Sequence, residues 1–268
     1  MSTLSIIIVT FNASWDLERT LKSIFQQTFS DYQVIVIDGK STDNTLDIVR
    51  NFEPYIWHWV SENDGGIYDA MNKGLVAARG DYIQFLNAGD WFADSHVLED
   101  VFVKQSDRPV LIYGDINRIA TDGSSQVIRA RDFNVQSLLR FGTGVLCHQA
   151  MFVRRDLAPL YDTKYKFKGE LNWYFDLVEL DGFSYVKIDR TIVDYGLGGW
   201  GYQHFVRNRL DWIRLVFNRY GLKAILDNGL LLFLWKNSFI RYPWLKKVHK
   251  VVSLPMVVVD RFFTAKEK

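Results

Sequence analysis

Three polar residues within the first ninety positions follow apolar runs and could do chemistry there. Asn12, Asp38 and Asp90 each come after a run rich in Ile, Val, Leu or Phe. A carboxylate so placed can accept hydrogen bonds from a nucleobase or ribose, or bind a hard divalent cation through oxygen. Such a cation would stabilise a diphosphate leaving group, because phosphate oxygens and water can complete its coordination. Asp38 and the nearby Ser41 could equally be plain turn and helix-cap residues.

The elements that would position these residues alternate regularly along the chain. Apolar runs predict four strands, and helical spacing of Leu, Ile, Val and Phe predicts helices between them; the strands lie at about 4–9, 34–37, 56–60 and 82–86, and the helices at 14–25, 41–52 and 67–78. Ser41 is the predicted cap of the second helix. This alternation indicates a parallel α/β sheet, in which ligands bind at the carboxyl ends of the strands. Asn12, Asp38 and Asp90 are therefore expected at one edge of the sheet.

The pattern loosens after residue 105. We predict strands at 110–113, 145–153 and 185–188, a hairpin turn at Asp122-Gly123, and helices at 170–180 and 203–220. Residues 1–220 would form one catalytic domain, with a nucleotide-binding half to about residue 105 and an acceptor half after it. Residues 221–268 would form a basic, aromatic, helical extension.

Composition narrows the class of protein. The formal charge of +1 argues against a general nucleic-acid binder, although residues 221–268 hold nine Lys and Arg against three Asp and Glu. Cys147 is the only cysteine, so an intramolecular disulfide is impossible. The apolar run 230–235 falls well short of the roughly 20 residues that span a bilayer. A soluble or peripheral protein of the cytoplasm is expected.

Four segments together resemble the family 2 glycosyltransferases. They are SIIIVTFN (5–12), DGKSTDNT (38–45), ARGDYIQFLNAGD (78–90) and GGIYDAMNKG (65–74). The last is similar to the branch that builds colanic-acid-like and O-antigen polysaccharides. The resemblance implies a GT-A fold, a mostly parallel sheet between helices. It also implies transfer of a hexose from a nucleotide sugar, with UDP favoured, to a lipid-linked or oligosaccharide acceptor, with inversion.

The resemblance also implies roles for single residues on the donor side. Thr10, Asn12 and Asp38 would hold the base and ribose. The donor pocket would be lined by three further residues, with the arginine near the diphosphate: Asp69, Arg79 and Asn87. Asp90 would bind Mn²⁺ or Mg²⁺. The usual acidic cluster reads Asp-x-Asp-Asp, whereas this chain has Asn87 and Gly89 and keeps only the last acid. Metal dependence is expected, and a metal-free mechanism stays open.

The acceptor hydroxyl of an inverting transfer needs a general base. Glu170 falls where the family carries an acidic pair, and Asn172 stands where another acid is common. Asp176 is the alternative base; six residues place it about 240° round the helix from Glu170, so the two cannot face one pocket. Both could also be solvated helix acids. His148 and Gln149 lie where the family often places acceptor-side polar groups, although a lone histidine is commonly structural.

Two later segments have open interpretations. The glycine-rich stretch 196–204 resembles a loop that closes over the donor; Trp200 would stack on a sugar, and His204 or Arg207 would reach the diphosphate. A simple turn before a helix is the alternative. In residues 222–264, aromatic side chains alternate with lysines and arginines, which suits peripheral contact with the inner face of an anionic membrane. Ordinary packing or an oligomer contact would use the same residues.

Three other functions compete with catalytic transfer. A nucleotide-sugar-binding subunit that has lost catalysis would fit Asn87 and Gly89. A nucleotidyltransferase is disfavoured because the first loop, residues 10–15, lacks Gly and Lys. A membrane-associated scaffold would leave the strand-end motifs without a purpose.

Overall fold

A single mixed sheet carries the site. The computed structural model describes residues 2–103, 108–120, 122–196 and 205–227, and within these ranges the sheet has nine strands. They are β1 Leu4–Thr10, β2 Tyr32–Asp38, β3 His58–Ser61, β4 Tyr82–Phe85, β5 Asp90–Phe92, β6 Leu111–Ile119, β7 Ser125–Ile128, β8 Met151–Arg154 and β9 Tyr185–Gly196. The strand order is β3-β2-β1-β4-β8-β6-β9-β5, with β7 paired to β6.

Seven helices are described in the same ranges. They are α1 Ser14–Phe25, α2 Thr45–Phe52, α3 Ile67–Ala77, α4 Val97–Phe102, α5 Val135–Phe141, α6 Gly169–Val178 and α7 Phe205–Asp227. The helix α7 is interrupted at Gly221, whose φ of 73° lies in the left-handed region. No helix in the described ranges is long and apolar enough to cross a membrane. The chain divides into two compact units, residues 1–215 and 216–268.

The parallel part of the sheet confirms the predicted α/β alternation. β1 pairs in parallel with β2 and β4, and β2 pairs in parallel with β3. All seven residues of β1 are buried, because helices cover both faces of a parallel sheet. The register places Thr10 beside Asp38 and Asp38 beside Ser61, all at the carboxyl ends of their strands.

Two local predictions are wrong. Ser41 does not cap α2, which begins at Thr45; the Thr45 amide instead donates to Asp43 Oδ1 at 3.0 Å. Residues 145–153 form a strand only from Met151, because 3-10 turns occupy 142–145 and 148–150. An apolar run of this length fits a buried turn as well as a strand. The hairpin turn at Asp122-Gly123 is confirmed between β6 and β7.

The second half of the sheet was only partly predicted. β5, β7, α4 and α5 were missed, and β9 runs eight residues beyond the predicted strand. β9 pairs in parallel with β6 through an irregular register and antiparallel with β5, with Tyr195 opposite Asp90. These pairings join positions far apart in sequence, so local periodicity does not reveal them.

An aromatic layer joins the two parts of the sheet. The ring of Tyr161 stacks on Tyr68 of α3 at a centroid distance of 5.2 Å and on Trp173 of α6 at 5.0 Å. Phe85 of β4 meets both Tyr161 and Trp173 edge-on. The Trp173 indole N–H donates to the Pro159 carbonyl at 2.7 Å. This layer holds α6 against the parallel strands.

Candidate active site

Asp38 organises the loop after β2. Its side chain is only 1% exposed. The carboxylate accepts hydrogen bonds from the Ser41 hydroxyl, from the Ser41 amide at 2.9 Å and from the Ser61 hydroxyl at 2.6 Å. The Ser41 oxygen in turn accepts from the Asn12 amide at 2.8 Å. Asp38 therefore fixes the loops after β1 and β2 relative to each other. Because the carboxylate is buried and already hydrogen-bonded, a ligand would contact the loop backbone that Asp38 positions and not the carboxylate itself.

Thr10 and Asn12 lie at the end of β1, as predicted from their place in the sequence. Asn12 has a φ of 48°, and its Oδ1 accepts from the Thr42 amide at 2.8 Å, which closes the neighbouring loop. The Thr10 hydroxyl is buried and has no hydrogen-bond partner among the described residues. An unpartnered buried hydroxyl at a strand end is a group that a ligand could satisfy.

Phe11 was not singled out from the sequence. It is 62% exposed, and a side-chain carbon built at Gly39 would lie 3.4 Å from its ring. An exposed aromatic ring between two strand-end loops offers a stacking surface for a nucleobase. The signal available in the sequence was an aromatic residue directly after a buried strand, at a position where the chain turns to solvent.

Asp90 is a buried acid at the start of β5. It is 6% exposed, and its Oδ2 accepts from the Gln149 side-chain amide at 2.9 Å. Burial raises the pKa of Asp90 to about 7, with a smaller increase from Asp16; His148 and the Gln149 hydrogen bond act in the opposite direction. The effect of burial on this carboxyl therefore outweighs the positive charge of His148.

The residues around Asp90 fit a cation that takes most of its ligands from elsewhere. The described residues contain no group of three or more His, Cys, Asp or Glu side chains able to hold a metal ion. A side-chain carbon at Gly89, where the family usually has an acid, would lie 3.8 Å from Asp16 Cγ. The helix α1 thus brings a carboxylate beside the missing acid. One buried carboxylate, a second acid nearby and a diphosphate are an oxygen donor set suited to Mn²⁺ or Mg²⁺.

His148 and Glu170 form a close pair. His148 Nδ1 lies 3.0 Å from Glu170 Oε1, and the Tyr174 hydroxyl donates to the same oxygen at 2.6 Å. His148 Nε2 lies 3.3 Å from Asn87 Nδ2, in the loop after β4. The Asn87 Oδ1 is buried without a partner in the described part of the chain. The pair therefore connects α6 to the loop that ends at Asp90.

The charges of this pair lower the pKa of Glu170 and raise the pKa of His148, and both shifts favour the charged forms. Burial alone raises the pKa of Glu170, but the charge of His148 and hydrogen bonds from His148 and Tyr174 outweigh it, so the net shift is downward. Burial lowers the pKa of His148, but Glu170 and Asp90 outweigh it, so the net shift is upward.

A cavity of about 220 Å³ opens beside the pair. His148, Gln149 and Glu170 line it together with side chains from the β6–β7 hairpin and β9, among them Arg118, Arg129 and Tyr195. Arg129 is paired with Asp115 and Asp189 at 2.6 Å each. The cavity has polar groups on several sides, as a site for a hydroxyl-rich acceptor requires.

Asp69 and Arg79 were expected to line the donor pocket. Asp69 lies in the first turn of α3 and accepts from the Gly65 amide at 3.0 Å, on the carboxyl side of the sheet. Arg79 lies at the opposite edge: its amide donates to Ser5 Oγ near the start of β1, and its guanidinium donates to carbonyls at the end of α3. A strand rise of about 3.3 Å per residue separates Ser5 from Thr10 by roughly 16 Å. The expectation that Arg79 faces the diphosphate is therefore corrected.

The remaining predicted residues lie away from the cavity or have side chains outside the part of the chain that the structure describes. Asp176 is not among the residues lining the 220 Å³ cavity, and its carboxylate accepts from Asn172 at 2.8 Å. Trp200 and His204 lie outside the described residues. Arg207 lies in α7, where only its backbone is described. The helix α6 thus directs Glu170, and not Asp176, into the cavity.

Solved structures with the same fold include two glycosyltransferases. One is residues 1–349 of TarS from S. aureus in complex with UDP, with a TM-score of 0.63 and 16% identity over 87% of this chain and 71% of that one. The other is the mannosyltransferase PcManGT from Pyrobaculum calidifontis with GDP-Man and Mn²⁺, with a TM-score of 0.58 and 17% identity over 94% and 80%. At these identities the likeness concerns the fold, and it confirms the predicted GT-A architecture.

Sequence comparison identifies the family. The chain is 34% identical over 184 residues to the PGL/p-HBAD biosynthesis glycosyltransferase of Mycobacterium tuberculosis, which covers 65% of this chain and 68% of the relative. It is 32% identical over 107 residues to the poly(ribitol-phosphate) beta-N-acetylglucosaminyltransferase TarP of Staphylococcus aureus, over 38% of this chain and 32% of TarP. The family model described as Glycosyl transferase family 2 matches residues 5–159. The chain therefore belongs to glycosyl transferase family 2 and is a glycosyltransferase.

Proposed function

We propose that this glycosyltransferase transfers a hexose, with inversion, from a nucleotide sugar to a glycan acceptor of the cell surface. The observation that carries the proposal is the juxtaposition of the buried acid Asp90, the His148–Glu170 pair and the adjoining cavity at one edge of the sheet. A strand-end acid for a phosphate-bound cation and an acid–base pair beside an acceptor cavity are the parts that an inverting transfer needs.

The strand-end loops would hold the donor. Phe11 would offer its exposed ring to the base. The Thr10 hydroxyl and the Asn87 side-chain carbonyl, which have no hydrogen-bond partner among the described residues, would offer polar contacts to the sugar and phosphates. UDP is the expected nucleotide. TarS in complex with UDP supports this choice, whereas PcManGT carries GDP-Man, so a donor panel must contain both nucleotides.

Asp90 would hold a divalent cation, which would neutralise the negative charge that builds up on the departing diphosphate. Gln149 keeps Asp90 oriented through its 2.9 Å hydrogen bond. The similar fold with Mn²⁺ supports a divalent metal. Burial raises the pKa of Asp90 to about 7, and a cation bound beside it would lower that pKa and so favour the ionised carboxylate.

The acceptor would be an oligosaccharide or a sugar on a polyprenyl diphosphate. Two relatives support a glycan acceptor by their names, a PGL/p-HBAD biosynthesis glycosyltransferase and a poly(ribitol-phosphate) beta-N-acetylglucosaminyltransferase. The narrower prediction of the colanic-acid or O-antigen branch stays a prediction. Residues 222–264 would contact the inner face of the cytoplasmic membrane. Deleting residues 222–268 would then move the protein from the membrane fraction to the soluble fraction, and an unchanged distribution would contradict that contact.

A catalytically impaired binding subunit is the second candidate function, favoured by Asn87 and Gly89 in place of acids. The two are separated by a panel of UDP- and GDP-sugars with Mn²⁺, first by thermal shift and then by radiolabelled transfer to lipid-linked acceptors. If the protein is an inverting transferase, one donor raises its melting temperature, and the product has the inverted anomeric configuration. Binding without product across several acceptors would favour the subunit, and no binding to any donor would overturn both.

A further inference from the structure

One oxygen of the Glu170 carboxylate is already occupied by two hydrogen-bond donors. Its Oε1 already accepts from His148 Nδ1 at 3.0 Å and from the Tyr174 hydroxyl at 2.6 Å. These donors also hold the pKa of Glu170 below its ordinary value, which weakens it as a base near neutral pH. A carboxylate tied in this way is better suited to orienting a histidine.

The other ring nitrogen of His148, Nε2, faces the loop between β4 and β5. In the neutral ring with Nδ1–H donating to Glu170, Nε2 carries the lone pair, and its neighbour is the Asn87 side-chain nitrogen at 3.3 Å. A hydrogen bond of that length is weak, so an incoming hydroxyl could replace it. Asn87 belongs to the loop that ends at Asp90, and His148 also lines the 220 Å³ cavity. Nε2 therefore lies at the donor loop, on a residue that also lines the cavity.

We propose that His148 Nε2 is the general base of the transfer and that Glu170 is its positioning residue. This inference rests on the proposed function. The acceptor oxygen forms a bond to the sugar's anomeric carbon while the bond from that carbon to the diphosphate oxygen breaks. The diphosphate leaves with the electron pair, and the hydroxyl proton moves to Nε2. Glu170 stabilises the resulting imidazolium through Nδ1–H, as a carboxylate does for a catalytic histidine.

A double-mutant cycle tests this assignment. The activity measured is the release of UDP from UDP-GlcNAc or UDP-glucose in the presence of Mn²⁺, with water as the acceptor. His148→Ala is expected to lower kcat at least a thousandfold and Glu170→Gln about a hundredfold. The double variant should be no slower than His148→Ala alone, because both residues act through one proton transfer. Donor affinity, measured by calorimetry, should stay within about threefold of wild type in all three.

Two further measurements separate a base from a structural histidine. Added imidazole should raise the activity of His148→Ala at least tenfold and should leave the activity of Glu170→Gln unchanged. In ¹⁵N spectra of the ring nitrogens, recorded at a pH high enough to deprotonate the ring and assigned by comparison with His148→Gln, wild-type His148 should be held as the Nδ1–H tautomer, and Glu170→Gln should release it. The ring spectrum does not depend on activity, and His148→Gln offers a second variant should the alanine variant misfold.

Contrary outcomes are equally specific. A larger loss in Glu170→Gln than in His148→Ala, with additive effects in the double variant, would make Glu170 the direct base and overturn the inference while leaving the proposed function intact. Loss of donor or Mn²⁺ binding in His148→Ala would make His148 a donor-site ligand and would also overturn it. A wild-type protein that binds no nucleotide sugar would overturn the proposed function, and this inference with it.

Discussion

The proposed donor side and the proposed acceptor side of the site are built in different ways. The proposed donor side lies at the carboxyl ends of neighbouring parallel strands, in the loops that follow them and at the start of β5; it consists of Thr10, Asn12, Asp38, Asn87 and Asp90. The acceptor side, His148, Gln149 and Glu170, comes from a 3-10 turn and from α6, which meet only in the folded chain. Parallel strand order alone places the donor side, whereas the acceptor side depends on tertiary packing. We therefore expect substitutions on the proposed acceptor side to leave the loops of the proposed donor side in place.

The largest expected effect concerns the packing that joins the two sides. Trp173 is fully buried and stacks on Tyr161, so Trp173→Ala should lower the free energy of unfolding by about 3–5 kcal/mol. Trp57→Ala is the matched control: Trp57 is 64% exposed, and its loss should change stability by less than about 0.5 kcal/mol. Urea denaturation followed by circular dichroism measures both. Equal losses would show that the aromatic layer does not hold the sides together.

The next effect separates two acids on one helix. Glu170→Gln should lower turnover about a hundredfold with donor affinity unchanged, because Glu170 lines the cavity and holds His148. Asp176→Asn should leave turnover within about twofold, since its carboxylate bonds to Asn172 outside the cavity lining. Steady-state kinetics over donor concentration provides both values. A reversal of the two effects would move the acceptor side to the other face of α6.

A smaller effect is expected on the donor side. Phe11→Ala should weaken binding of UDP about tenfold, because aromatic–base stacking contributes about 1–3 kcal/mol. Tyr55→Ala removes another exposed aromatic ring, at the amino end of β3, and should leave the affinity unchanged. Calorimetric titration with UDP measures the difference. Equal affinities in the two variants would contradict the proposal that the nucleobase stacks on Phe11.

The smallest effect tests the edge assignment. Arg79→Ala should change donor affinity and turnover by less than about twofold, because Arg79 lies beside Ser5 at the amino edge of the sheet. A tenfold loss in either quantity would mean that the site extends across the sheet.

Particular residues show how far the sequence alone could go. Asp38 and Asn12 were placed correctly at strand ends, because alternating strands and helices leave few topologies open. The same topology could have excluded Arg79, since connections from helix to strand lie at the amino ends of parallel strands. The role of Ser41 was wrong because a serine three residues after an acid fits a helix cap and an acid-bound turn equally well.

The contacts on the proposed acceptor side could not be predicted from local sequence patterns. Glu170 and His148 were each named from the sequence, but their contact depends on α6 packing beside the turn that precedes β8. β5 was missed because three residues carry too little periodicity, and its pairing with β9 determines the surroundings of Asp90. Asp16, near the position of Gly89, was missed because a helix residue and a loop residue become neighbours only through tertiary structure.

The most direct test is calorimetric titration of UDP into the protein with and without Mn²⁺, using wild type, Asp90→Ala and Arg79→Ala. The structure predicts Mn²⁺-dependent binding in wild type and Arg79→Ala, and loss of the Mn²⁺-dependent part in Asp90→Ala. Undiminished, Mn²⁺-dependent binding by Asp90→Ala would contradict the assignment of the donor site to this edge of the sheet.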